Sequence, residues 1–246
     1  MSHFDPSKWT RPLLQFAAPM FTVWAGFVVL GSIHHFLFIW PLTAVQVSIA
    51  LGDWRNMRAR ISQLSACWIG HALAYQLLGM PPWIGIWRAA VQIVEVAVVV
   101  TILYPAVVRF EDLKKRENLL RFGIAAFVVP IFTVALAAKP ISGLTHASLF
   151  QSWLIAAPSD CLGVAVVLPA LLLFSSRDAR SLRRLRPVLR SALVSVAVFA
   201  AAAAAVFSYD SLPLLFMVFP PMVLLVFLTG LEGATFASLT VTVVAG

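Results

Sequence analysis

Charge is what this sequence has least of: only 11% of its 246 residues are Asp, Glu, Lys or Arg, against about 25% in soluble globular domains. That shortage excludes a water-facing surface of ordinary composition. Acidic residues are the scarcer sign, ten in all against 18 basic ones. Cysteine is nearly absent too. Cys67 and Cys161 both fall inside apolar runs, which excludes a disulfide framework and any C-x-x-C metal or redox spacing; they read as buried structural thiols. Walker-type phosphate loops, H-E-x-x-H, G-x-S-x-G and Gly-rich dinucleotide turns are all missing. The chain is not expected to be an enzyme, and no cofactor or metal is expected.

What is abundant is apolar surface: 61% of residues are hydrophobic and the mean hydropathy is +0.93. A soluble domain carrying one anchor would average well below that. Lipid satisfies no backbone polar group, so only helices or closed barrels cross it. The apolar runs are long and unalternating, whereas barrel strands run to about 10 residues with a period of two. The expected fold is all-α, a polytopic transmembrane helical bundle. At about 20 residues per crossing, the spans are read at Leu13–Ile33, Phe36–Leu51, Ile61–Gly79, Ile84–Tyr104, Leu119–Ala138, Leu149–Phe174, Val188–Ser208 and Leu212–Leu228. A ninth apolar stretch, Leu231–Gly246, lacks a basic or aromatic flank and reads as a helix cut short, so the C-terminus is not expected to be the natural one. Residues 1–12 read as a cytoplasmic tail and 13–246 as the membrane region, eight full spans and a partial ninth.

Basic residues set the direction, because cytoplasmic connections carry them in excess. Lys8 and Arg11 precede the first span; Arg55, Arg58 and Arg60 lie in the second connection; Arg109, Lys114, Lys115, Arg116 and Arg121 lie in the fourth; the sixth runs from Arg177 to Arg190. That places 16 of the 18 basic residues on one side; Lys139 falls on the other, and Arg88 lies within a span. This alternation predicts a cytoplasmic N-terminus. It also turns the net charge of +8 into a topology signal. Charges scattered over short connections form no single face for nucleic acid.

Ionisable groups at membrane depth cost about 2.5–3.5 kcal/mol each on insertion scales, so each needs a partner or a task. In the fourth span, Arg88, Gln92 and Glu95 are spaced by four and three, which places them on one helical stripe amid apolar neighbours. In the sixth, Asp160 sits in Trp153-x-x-x-x-Pro158-Ser159-Asp160-Cys161-x-Gly163, with Pro169 following. Proline frees backbone groups and glycine admits a close neighbour, so this run reads as an interrupted helix. The bland alternatives are a Glu95 that only ties helices together and an Asp160 that only caps the segment after Pro158. His71 reads as a core histidine rather than a ligand. His34, His35 and His146 follow no recognised metal or haem ligand spacing.

Four ordered strings resemble the first membrane-associated sensor domain family, the membrane input module of bacterial diguanylate cyclases and sensor histidine kinases. They are Trp40-Pro41 running to Ala50-Leu51 and the Arg-rich turn behind it; Gln92-x-x-Glu95; Trp153 through Asp160-x-Leu162-Gly163 to Pro169-Ala170-Leu171-Leu172; and Leu214-Leu215-Phe216 through Pro220 to Gly230-x-x-Gly233-Ala234. The resemblance covers nearly the whole chain. It departs at Pro158-Ser159, where family members often carry an aromatic residue, and family members continue into further helices and a cytoplasmic output domain. The resemblance implies a sensory input module of the bacterial inner membrane, in two-component or cyclic di-GMP signalling. Its sensing or coupling candidates would be Trp40, Arg88, Gln92, Glu95, Trp153, Asp160 and Gly163. Arg88, Gln92, Glu95, Trp153 and Asp160 are expected to converge in the outer half of the bundle. The expected partners are the lipid bilayer and either a small-molecule signal or a partner membrane protein, with a homodimer allowed. The rivals are a secondary transporter using Glu95 and Asp160, and a pure interaction module. A transporter should show paired broken helices, and only the sixth span carries an acidic residue beside a proline.

Overall fold

The computed structural model describes residues 10–21 (apart from 11 and 19), 41–145 and 148–175. The sequence-read spans after Phe174, most of the first span, Trp40, and His34, His35 and His146 lie outside them. The chain divides into two compact units, Met1–Leu168 and Pro169–Gly246. One helix, Leu168–Ser175, runs from the first into the second.

The described residues are helical, with no strand among them. After a helical segment over residues 12–18, α1 is Leu42–Leu51, α2 Met57–Leu77, α3 Pro82–Leu103, α4 Arg116–Gly123, α5 Val129–Thr145, α6 Leu149–Leu162 and α7 Leu168–Ser175. Their ends follow from local chemistry. The Asn56 side chain caps α2 by accepting from the Arg58 amide at 3.0 Å. At the other end of α2, Gly79 takes φ +73, and the amides of Gly79 and Met80 close onto the carbonyls of Gln76 and Tyr75. That double closure satisfies carbonyls the helix leaves open, and only glycine takes this backbone without strain. Pro81 and Pro82 follow, the second as the first residue of α3, where a missing N–H costs nothing. A reciprocal box opens α6: Ser148 Oγ accepts from the Gln151 amide and Gln151 Oε1 from the Ser148 amide, both at 3.1 Å.

Two helices are widened part-way. α4 passes into α5 through a π turn at Ile124–Val128, and α6 passes into α7 through another at Gly163–Val167. Each turn ends two residues before a proline, Pro130 and Pro169. Proline lacks the N–H for the i−4 carbonyl and its ring crowds that carbonyl, so a wider turn ahead of it relieves both problems. The run from Trp153 to Pro169 that reads as an interrupted helix is interrupted at Gly163–Val167, while α6 passes through Pro158 unbroken. The fifth span, read as unbroken, is interrupted as well.

Among the described residues, three helices are long and apolar enough to cross a membrane: Pro82–Leu103, Arg116–Ala138 and Leu149–Leu173. α1 is apolar but only 10 residues long. α2 has the length but carries Arg58, Arg60, Gln63, His71 and Gln76, and is not among the three. The polarity of the bundle is inverted relative to a soluble one. Gln63 and His71 of α2 are buried while its Ile61, Ile69, Leu73 and Leu77 are exposed, Leu77 to 74%. Trp83, Leu120, Phe132 and Phe150 are exposed likewise. An apolar exterior, with the polar side chains gathered inside an otherwise apolar core, suits lipid, not water.

α3 is the centre, packed against α1, α2 and α5; α5 packs on α6, and α1 lies on the π turn Gly163–Val167. The two π turns also touch one another. The 12–18 segment crosses α2 at Gly70, where any Cβ would collide with the Phe16 carbonyl oxygen.

Candidate functional site

The stripe predicted on α3 faces the bundle interior: Glu95 is 2% exposed and Gln92 8%. From α1, Thr43 enters between them and α6. Gln92 Nε2 donates to Thr43 Oγ1 at 2.7 Å, and Thr43 Oγ1 donates to Asp160 Oδ1 at 3.1 Å. From α5, Thr133 Oγ1 donates to Glu95 Oε2 at 2.8 Å. Four helices thus meet through five polar side chains. Asp160 is itself buried, and it shares this junction with Glu95, which lies one turn on from Gln92 along α3, so the two carboxyls act on one another. Asp160 therefore takes a helix-to-helix bond from Thr43 rather than capping its own segment.

The remaining charge nearby is Arg88, two turns before Glu95 on α3. Its guanidinium lies 4.7 Å over the Tyr75 ring of α2, and its field reaches both Asp160 and His71. Among the described residues, each carboxyl accepts from one hydroxyl, and Glu95 Oε1 has no donor. A buried acceptor without a donor is costly.

A second polar junction lies one turn further along α1. Gln46, one turn after Thr43, places its Nε2 2.8 Å from His71 Nε2, and its backbone carbonyl accepts from Gln15 Nε2 at 2.8 Å. His71 is fully buried and stacks on Tyr75 with centroids 5.9 Å apart. It is a hydrogen-bonded core histidine.

The structure brings together Arg88, Gln92, Glu95 and Asp160 of the sequence-predicted set. Trp153 is not with them: its indole donates to the Ile131 carbonyl of α5 at 2.9 Å and its ring lies 5.9 Å from Phe150. Gly163 is buried and opens the second π turn, next to the junction but not in it. Trp40 lies outside the described residues. Sequence reasoning missed Thr43 and Thr133, which supply the hydroxyls. The available signals were Thr43 paired at i,i+3 with Gln46 in an apolar run, and Thr133 three residues after Pro130. The thiols are both free and buried, and Cys161 Sγ donates weakly to the Phe127 carbonyl of the first π turn at 3.6 Å. Among the described residues, no group of three or more His, Cys, Asp or Glu is placed to hold a metal ion.

No family model, curated protein or solved structure matches this chain. Its chemistry is therefore read from the junction itself. Two carboxyls, two hydroxyls and an amide can bind a proton and bias the packing of four helices, and they include no activated nucleophile.

Proposed function

We propose that the chain is the sensory input module of a bacterial inner-membrane signalling protein, of the kind the first membrane-associated sensor domain family supplies to diguanylate cyclases and sensor histidine kinases. In this reading it is a multi-pass protein with a cytoplasmic N-terminus, eight spans and a ninth begun at Leu231. The observation that carries it is the buried junction of Thr43, Gln92, Glu95, Thr133 and Asp160. Two of the helices it joins are widened by π turns within a few residues of the junction. Packed helices with an interrupted backbone switch between discrete arrangements, and a coupling of about 1–3 kcal/mol is enough to read one against the other. The signal is a small molecule or a partner membrane protein that binds one arrangement better. A homodimer would present the pair of outputs that such enzymes use.

The test is a fusion of residues 1–246 to a soluble diguanylate cyclase reporter in a bacterial host. Substitutions at Thr43, Glu95 or Asp160 should change cyclic di-GMP output at constant protein level, while exposed Phe132→Leu should not. Output indifferent to all three junction positions would remove the sensory reading. Labelling of single cysteines from the cytoplasmic side should reach the Arg177–Arg190 connection and not position 139.

One observation favours a secondary transporter as the second reading. The sequence offered a single broken helix, whereas the structure has two in contact, each with a proline at the same offset, beside a carboxyl pair. Transporters build ion sites at such paired breaks. Proton or cation flux into liposomes, abolished by Asp160→Asn, would decide for it.

A further inference from the structure

We propose that Glu95 and Asp160 form a binding site for a single proton, held between the two carboxyl groups, and that its occupancy ties α3 to α6. The starting point is the donor count. Thr133 serves Glu95 Oε2 and Thr43 serves Asp160 Oδ1, which leaves the fully buried Glu95 Oε1 for Asp160 with no hydrogen to share. Two ionised carboxylates in one buried junction repel, and one proton between them makes a strong hydrogen bond. The pair then titrates as a unit, not as two residues.

The charge count points the same way. The charged or titratable groups facing the pair among the described residues are few. Arg88 comes from α3, with Tyr75 and His71 of α2 behind it, and Cys161 is the neighbour on α6. α1 and α5 contribute only the hydroxyls of Thr43 and Thr133. With both carboxylates ionised, Arg88 leaves the cluster at −1. With one proton bound it is neutral, the state that a low-dielectric interior favours.

The hydroxyls can follow the proton. Thr133 Oγ1 also lies 3.1 Å from the Val129 carbonyl of its own helix. A proton on its way in or out can pass through Glu95 Oε2, where Thr133 accepts it and turns its own hydrogen to Val129; once the proton lies between Glu95 Oε1 and Asp160, or has left, Thr133 donates to Oε2. Proton exchange with water is thus balanced by one hydroxyl rotation, and no buried hydrogen is stranded.

This site deepens the sensory reading by naming a stimulus, and it rests on that reading only for the consequence of binding. The experiment uses the whole chain in lipid nanodiscs and infrared difference spectroscopy as pH is raised through the neutral range. Wild type should show one protonated-carboxyl band per chain that shifts in heavy water and is lost on deprotonation. Glu95→Gln and Asp160→Asn, which keep the size and the hydrogen bonds, should each remove or shift that band while helix content is retained. Absence of the band in wild type, or a band unchanged in either variant, overturns the proposal; the wild-type arm stands even if a variant does not fold. Amide exchange over residues 160–167 is recorded on the same samples. Relative to the intrinsic base-catalysed rate, it should rise several-fold with deprotonation in wild type and stay constant across the same pH range in Glu95→Gln. A band that titrates without any change in exchange leaves the proton site in place and removes its sensory role.

Discussion

α1 carries two polar side chains one turn apart, and they enter different worlds. Thr43 reaches into a junction built on two carboxyls; Gln46 reaches into one built on an imidazole and amides. Both are buried, both join three or more segments, and both leave polar atoms without partners: Glu95 Oε1 in the first, and Gln15 Oε1, Gln46 Oε1 and His71 Nδ1 in the second. The difference lies in what completes them. In the amide junction a proton taken up by His71 would add a buried charge with no carboxylate beside it, so the groups stay neutral, their unpaired atoms cost a fixed amount and the assembly acts as glue. In the carboxyl junction one added proton changes the bond count and the charge together. Polar contacts inside a membrane bundle can therefore look alike in a list of distances and still divide into fixed and adjustable ones.

That division can be broken by mutation. The largest effect is expected for Glu95→Ala, which opens a cavity and strands Thr133 and Asp160; about 2–4 kcal/mol should be lost in a detergent unfolding titration. Glu95→Gln should stay within about 1 kcal/mol of wild type, because the amide supplies the hydrogen that the bound proton supplies to the carboxyl pair. Equal losses in the two variants would place Glu95 with the fixed contacts. Gly70→Ala drives a methyl against the Phe16 carbonyl and should cost about 1–3 kcal/mol. Its first symptom should be amide exchange in residues 12–18, where Gln15 is held by the amide junction. Next comes Thr43→Val, which keeps the shape but removes the link between Gln92 and Asp160, at up to about 1.7 kcal/mol, with Gln46→Leu nearer the average of about 0.6 kcal/mol for membrane hydrogen bonds. A larger loss at Gln46 would reverse the ranking of the two junctions. Trp87→Phe should have the smallest effect, about 0.5 kcal/mol, by releasing the indole bond to the Leu136 carbonyl at 3.0 Å. That carbonyl is free to accept because Pro140, four residues on, has no N–H to offer it.

The helical character and the α3 stripe were legible in the sequence for one reason: an ionisable residue in an apolar run is so costly that its position carries information. Glu95 and Asp160 stand out on cost alone, and their meeting follows from each needing shelter. Threonine carries no such signal. Thr101 and Thr133 are the same residue type in similar apolar surroundings, yet Thr101 bonds only its own helix, donating to the Ala97 carbonyl at 2.7 Å, while Thr133 reaches another. A hydroxyl that can satisfy itself four residues back hides whether it also serves a neighbour. The π turns were half legible. Proline marks the neighbourhood of a break, but whether the helix runs on through the proline, as at Pro158, or widens ahead of it, as before Pro130 and Pro169, depends on what packs alongside.

The widened turn at Ile124–Val128 also sets the phase of α5. An α-helix advances about 100° per residue, and a π turn takes up one residue beyond what α geometry would use. If this turn closed with every residue retained, Thr133 would swing about 100° around the helix axis, away from Glu95. The hydroxyl that serves the carboxyl and the pitch of the backbone nine residues earlier are therefore two readings of one mechanical state, and rotation is the form in which a change at the junction would leave it.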